Sequence, residues 1–253
     1  MNESLKRWVY GGVYLFLFLA LLGLIYFSFY STRASCDDLL QNQDETGVDC
    51  GGKCAVSCEV KWAEPIVITA RDVFIEGVEH ITVMVTVYNP NAFVGVMRLP
   101  YTLSIYDTSG KRAFVFHRET KIIPGGNTYL LETNVKLKDR DFGRVEVTWP
   151  EYVFTERGNL NLPNLLIQDV ATKKMREGIV IFGGVKNEEP APVSEVIIIV
   201  QEREGLIIKR ATQSVLSQIP SYGRKEFILE LPMTAEELKK IDSKNLNLVL
   251  QAK

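Results

Sequence analysis

Histidine is nearly absent: only two occur in 253 residues, His80 and His117. Side chains that change charge near neutral pH are therefore scarce, and general acid–base chemistry has few candidates. Cysteine is scarce too, with four in all, and is confined to one stretch, Cys36, Cys50, Cys54 and Cys58. Everything after residue 58 must hold together by packing. Charge of one sign is also lacking. The 29 basic and 31 acidic side chains are interspersed and leave a formal net charge of −2, so there is no basic patch of the kind that nucleic-acid phosphates require. A Gly-x-Ser-x-Gly elbow and a phosphate-cradling glycine loop are missing too. His80 follows a turn and His117 lies in a predicted strand; both read as surface or edge residues rather than as the base of a triad.

What the sequence does have is one long apolar run. Trp8–Tyr30 contains no charged side chain, and roughly 20 apolar residues in a helix cross a hydrocarbon layer ~30 Å thick. Lys6 and Arg7 precede the run, while Arg33, Asp37 and Asp38 follow it. The positive-inside rule puts residues 1–7 in the cytoplasm and everything after Tyr30 outside. Trp8, Tyr10, Tyr26 and Tyr30 suit the two interfacial belts. A cleaved signal is the rival reading, but its apolar core is usually shorter and is followed by small neutral residues, where Arg33 stands here. The expected localisation is a single-pass plasma-membrane protein whose body lies outside the cytoplasm, with the bilayer as partner through Trp8–Tyr30.

The next segment, 31–60, reads as a stalk. Four cysteines within Cys36–Cys58, in an oxidising compartment, imply two disulfides. Three pairings are open. Gly47, Gly51 and Gly52 supply turn conformations, and so small a segment needs cross-links for order. Asp37, Asp38, Asn42, Asp44, Glu45 and Asp49 offer hard oxygen atoms of the type Ca²⁺ takes. The spacing is not that of an EF-hand, and the reading favoured here is polar turn residues on a solvated loop. Zinc held by four thiolates is a third reading, weakened because exported thiols oxidise. No other cofactor is expected. The string from Asn42 to Cys54, Asn-x-x-Glu-Thr-x-Val-Asp-Cys-Gly-Gly-x-Cys, resembles a short cysteine module found in many exported proteins. That resemblance implies export and disulfides, not an activity.

Beyond residue 60 the pattern becomes short β-rich runs separated by turns. Ile81, Val83, Val85 and Val87 share one face of a strand that ends at Tyr88-Asn89. Strands follow around Leu103–Asp107, Ala113–Glu119, Tyr129–Leu137 and Val145–Trp149, with a Pro124-Gly-Gly turn among them. The same order recurs roughly 100 residues later, a typical domain length. Ile179–Lys186 leads into Asn187, Val196–Glu202 leads to Gly205, and Leu206–Val215, Ile219-Pro220, Lys225–Leu231 and Leu246–Leu250 follow. Thr234-Ala-Glu-Glu237 is a capping box for a short helix through Ile241. Gly183-Gly184 inside a strand suggests a bulge, and Asn89-Pro90-Asn91 reads as a strand stop.

The fold class expected is mainly β: an N-terminal transmembrane helix followed by two Ig-like antiparallel β-sandwich domains. These span residues 61–150 and 164–253, joined by a polar linker at 151–163. The first copy, with Tyr88-Asn89-Pro90-Asn91 and its Pro-Gly turn, resembles the LEA14-like (water-stress-hypersensitive) β-sandwich domains. The second, with Gly184-Val-Lys-Asn187 and Val196–Gly205, resembles the FxLYD domains, of which Ser104-Ile-Tyr-Asp107 in the first copy is also a trace. The resemblance implies a structural role and carries over no catalytic residue. The function expected is a non-catalytic envelope protein that presents or binds other envelope proteins or polymers. The rivals are a ligand-binding receptor or accessory subunit of a membrane complex, and an exported hydrolase.

The charge asymmetry makes a direct prediction. Protease added outside intact cells should digest the body after residue 30 and leave a membrane-embedded N-terminal fragment. Protection of the body until the cells are lysed would reverse the orientation.

Overall fold

The computed structural model describes residues 3–30, 36, 38–41, 44–76, 79–137 and 141–252. The chain divides into two compact units, Met1–Trp62 and Ala63–Lys253.

The first unit opens with helix α1, Glu3–Tyr30. Its apolar window Lys6–Tyr26 is 21 residues long with mean hydropathy 2.1, and none of it is buried against protein. At 1.5 Å per residue such a window is about 32 Å long, so by length and composition the helix can serve as a membrane anchor or signal. The short helix α2, Cys58–Lys61, is started by Ser57, whose side chain accepts from the Val60 N–H.

The second unit is two β-sandwiches of the same design. Strands β1 (Val67–Glu76), β2 (His80–Tyr88) and β5 (Asn127–Lys136) form one sheet in the order β1–β2–β5. Strands β3 (Val94–Tyr106), β4 (Arg112–Ile122) and β6 (Arg144–Thr148) form the facing sheet in the order β4–β3–β6, with β7 (Thr155–Glu156) also on β3. The second sandwich repeats this with β8 (Leu165–Met175), β9 (Gly178–Asn187) and β12 (Arg224–Pro232), against β11 (Ile207–Ile219), β10 (Val193–Glu204) and β13 (Leu246–Ala252). All the ladders are antiparallel. Helix α3, Ala235–Lys240, carries the complete capping box between Thr234 and Glu237, and its Leu238 reaches the core.

Each sandwich has its own core. Ile81, Val83, Val85 and Val87 meet Leu99, Leu103 and Ile105 in the first; Ile179, Ile181 and Val185 meet Val196, Ile198 and Val200 in the second. The two copies are closed by the same device. Asn89 is fully buried, and its Nδ2 donates to the Val94 and Ile123 carbonyls at 2.7 and 3.0 Å. Asn187, equally buried, donates to the Ala191 and Pro220 carbonyls at 2.8 and 3.0 Å. Each side-chain oxygen accepts a backbone N–H two residues on, from Asn91 and Glu189. Both asparagines therefore end their strand by bonding orphaned carbonyls of the neighbouring loops.

A third apolar cluster lies between the sandwiches. Phe74, Met84, Tyr129 and Leu131 of the first pack with Ile199 and Ala211 of the second. For this reason β2 is buried on both faces: Thr82 and Met84, which point away from its own core, are fully enclosed. Buried amides stitch the contact. Gln251 accepts from the Tyr129 N–H at 3.0 Å and donates to the Tyr129 carbonyl and to Thr120 Oγ1. Gln213 donates to the Leu131 carbonyl at 3.0 Å.

Residues 151–163, polar by composition, are packed on the first sandwich. Tyr152 and Phe154 stack edge to face with centroids 5.3 Å apart against its core. The Tyr152 hydroxyl accepts from the Ile66 N–H at 3.0 Å, β7 pairs with Val94 and Gly95, and Leu160 is fully buried. Three apolar side chains outweigh the glycine and asparagines around them. The bulge expected at Gly183-Gly184 sits in the neighbouring strand instead, between Gln168 and Ala171. The glycines allow close approach: a Cβ on Gly184 would lie 2.2 Å from Arg224 Nε.

The shared cluster should make the body unfold as one. Met84→Ala is expected to remove about 2–5 kcal/mol by opening a cavity, and to shift a single transition of the full chain in detergent, followed by circular dichroism. Leu206→Ala, at a position 97% exposed, should stay within about 0.5 kcal/mol. Two separated transitions would show that the sandwiches are independent.

Candidate functional site

The cysteine module shows most directly how a motif becomes geometry. Cys36 is bonded to Cys54 and Cys50 to Cys58, with Cα atoms 5.7 and 4.9 Å apart. The three glycines are fixed by contact. A Cβ on Gly47 would lie 2.9 Å from Cys58 Sγ, one on Gly51 only 1.9 Å from Thr46 Oγ1, and one on Gly52 2.0 Å from the Asp44 carbonyl. Gly51 and Gly52 also have φ of +71° and +57°, a region open to glycine at little cost.

Asp49 is the clamp of this module. It is 2% exposed. Its Oδ1 accepts the Asp38 and Leu39 N–H groups at 2.8 and 3.0 Å, its Oδ2 accepts Leu39 at 3.1 Å, and Lys61 Nζ lies 3.4 Å away. Burial pushes its pKa up, but the two N–H groups and Lys61 outweigh that and hold it below the ordinary value of 3.8.

Of the residues considered for calcium, Asp37 and Asn42 lie outside the described residues. Asp38 Oδ1 accepts from the Leu40 N–H, and Asp44 is exposed. Both oxygens of Asp49 face protein donors. Glu45 approaches the Cys36–Cys54 bridge, its Oε1 3.2 Å from Cys54 Sγ. Those sulfurs are joined to each other and are not thiolate ligands.

The histidines lie apart from each other. His80 begins β2, between Glu76 and Lys136 on the flanking strands. His117 stands exposed on β4, where its Nδ1 is 3.1 Å from Thr102 Oγ1. It borders a shallow cavity of about 650 Å³ with Tyr101, Arg118, Glu119 and Trp149. Glu119 is engaged by Arg98, and Glu132 by Arg118 at 2.9 Å. Burial and then Glu132 push the Tyr101 hydroxyl well above its ordinary pKa, against the pull of Arg118. Among the described residues the hydrogen-bond partner of His117 is the Thr102 hydroxyl.

A cavity with different chemistry lies at the junction of the sandwiches. It measures about 830 Å³ and is lined by Lys121, by Arg157, Gly158 and residues 161–163 after β7, and by residues 189–194, the loop into β10 and its first two residues. That is the size range of small-molecule sites. Lys121 is 91% buried, and the described partner of its ammonium is the Asn161 carbonyl at 3.3 Å. Burial alone lowers its pKa. Arg157 lines the same cavity. Sequence reasoning did not single out either residue. Lys121 sits in the β-rich string Thr-Lys-Ile-Ile, and only the tertiary structure turns a strand-end lysine into a buried cation.

No family model matches the chain, and no curated protein matches it. Among solved structures, the crystal structure of red sea bream transglutaminase is similar at 15% identity with a TM-score of 0.25. The match covers 65% of this chain and 27% of that one. A likeness of that degree carries no argument about this protein.

The Asp49 clamp predicts a pH dependence. Because its pKa is lowered on folding, its contribution is complete above the ordinary carboxylate value and is lost as pH falls through the folded value. Carboxyl NMR titration should place the Asp49 midpoint below 3.8, with the Asp38 and Leu39 amide signals moving together with it. A midpoint at or above 3.8 would remove the clamp.

Proposed function

We propose that this chain is a non-catalytic, membrane-anchored extracytoplasmic protein of the cell envelope, built to present a stiff β body at a distance from the bilayer. In this reading α1 spans the membrane once with its N-terminus in the cytoplasm, the disulfide module is the stalk, and the paired sandwiches are the presented part. The observation that carries it is the apolar cluster shared by the two sandwiches. A body whose repeats share a core around Met84 and Ile199 is suited to spacing and contact rather than to opening and closing over a substrate. The scarcity of histidine supports the same reading.

One observation favours a second reading, a receptor or accessory subunit that binds a small anion. Lys121 is a buried cation with a single carbonyl as its described partner, in a cavity that also holds Arg157. Burial of an uncompensated charge is costly, and a carboxylate or phosphate would offset it. Thermal unfolding of the full chain in detergent, with and without inorganic phosphate, citrate or glucuronate, separates the two readings. The presenting-body reading expects no shift in Tm. The receptor reading expects a rise of about 5–10 °C at a hundredfold excess over Kd, which follows from about 2.7 kcal/mol of binding stabilisation. That rise should be abolished in Lys121→Met.

A further inference from the structure

The internal repeat allows one face of the protein to be compared with its own counterpart. In the first sandwich the outer face of the β1–β2–β5 sheet is covered by the second sandwich. Asn89 and Asn187 mark the same point in the two copies, and five residues before them stand Met84 and Phe182. The ladders agree: Met84 is opposite Leu131, and Phe182 is opposite Ile228. Met84 is 0% and Leu131 5% exposed, whereas Phe182 is 40% and Ile228 68% exposed. The position that joins the two sandwiches in the first copy is thus rebuilt in apolar side chains in the second, where both are exposed.

The surroundings of the pair have both signs of charge. Ala171 lies opposite Phe182 on β8, and Leu166 on the same strand is 40% exposed. Around them stand Lys173, Lys186 and Arg224, and Glu226, Glu230 and Asp169, with Arg224 bonded to Asp169 at 2.7 Å. An apolar centre with balanced charges at its margin is complementary to a copy of itself.

Head-to-tail continuation of the stacking would instead need the outer face of the β4–β3–β6 sheet from another molecule. That face is of the wrong kind. Ser104, between core residues Leu103 and Ile105, lies on that face, as Ile199 does between Ile198 and Val200 in the second sandwich. Its ladder neighbours are Val115 and Glu146, and Thr102 faces His117 and Thr148. The corresponding face of the second sandwich supplies Ile197, Ile199, Ala211 and Val249 to the shared cluster. A heterologous contact would bury polar groups against Phe182 and Ile228, while an isologous one buries apolar against apolar and sets lysine against glutamate.

We propose that a second copy of this chain docks on the outer face of the β8–β9–β12 sheet, through a two-fold contact centred on Phe182 and Ile228. The full chain is the material for the test, in detergent micelles or nanodiscs. The described cysteines are all in disulfides, so Ile228→Cys adds the single reactive thiol. Mild oxidation should give a disulfide-linked dimer from Ile228→Cys and none from Thr102→Cys. Sedimentation should find wild type as a dimer and Phe182→Lys at least about tenfold weaker in association. The circular dichroism spectrum and Tm of that variant should be unchanged when measured on the monomer. Wild type that sediments as a monomer would overturn the proposal. So would a dimer that Phe182→Lys leaves intact, or a mixture of Ile228→Cys and Thr102→Cys chains that cross-links to each other in preference to Ile228→Cys with itself.

Discussion

The packing of Met84, Tyr129 and Leu131 against Ile199 and Ala211 is the contact on which the body of this protein depends. A β-sandwich needs only its inner faces to be apolar, and each sandwich here has such a core. Covering the outer face of β2 as well changes the mechanical character of the molecule. The free energy of burying apolar area grows with the area removed from water, and this contact joins what would otherwise be two modules in series. The buried amides of Gln251 and Gln213 then orient the contact, because each bonds main-chain groups of the opposite sandwich.

The same contact accounts for the asymmetry between two halves of one design. Both copies keep the asparagine clasp, the strand order and the inner-face periodicity, for these close a sandwich regardless of what lies outside it. They differ on their outer faces. The first copy has an apolar β1–β2–β5 outer face and a polar β4–β3–β6 outer face; the second has apolar residues on both. One outer face of each copy forms the joint, and the remaining two faces differ in polarity.

The disulfide module follows a different logic. It lacks the area for a core, so two cross-links, three glycines and one buried carboxylate do the ordering. The glycine positions in its motif are explained by atoms: sulfur, a threonine hydroxyl and a carbonyl occupy the space a side chain would need. Asp49 holds Asp38, Leu39 and Lys61.

Local pattern was enough to read the strands, the capping box at Thr234, the asparagine strand stops and the apolar helix, because each depends on periodicity or on bonds within a few residues. The cysteine spacing implied two bridges but left three pairings open, since a pairing is a property of the folded loop. Residues 151–163 read as a linker from their glycine and asparagines, while Tyr152, Phe154 and Leu160 found a core only when the chain returned to β3. The glycines of β9 suggested a bulge that lies one strand away, as close approach between strands has no signature within either. The apolar outer face of β2, the burial of Lys121 and the pairing of the sandwiches were decided by tertiary structure alone. The physical reason is that the sequence specifies which side of a strand is apolar, whereas what comes to lie against that side depends on residues more than a hundred positions away.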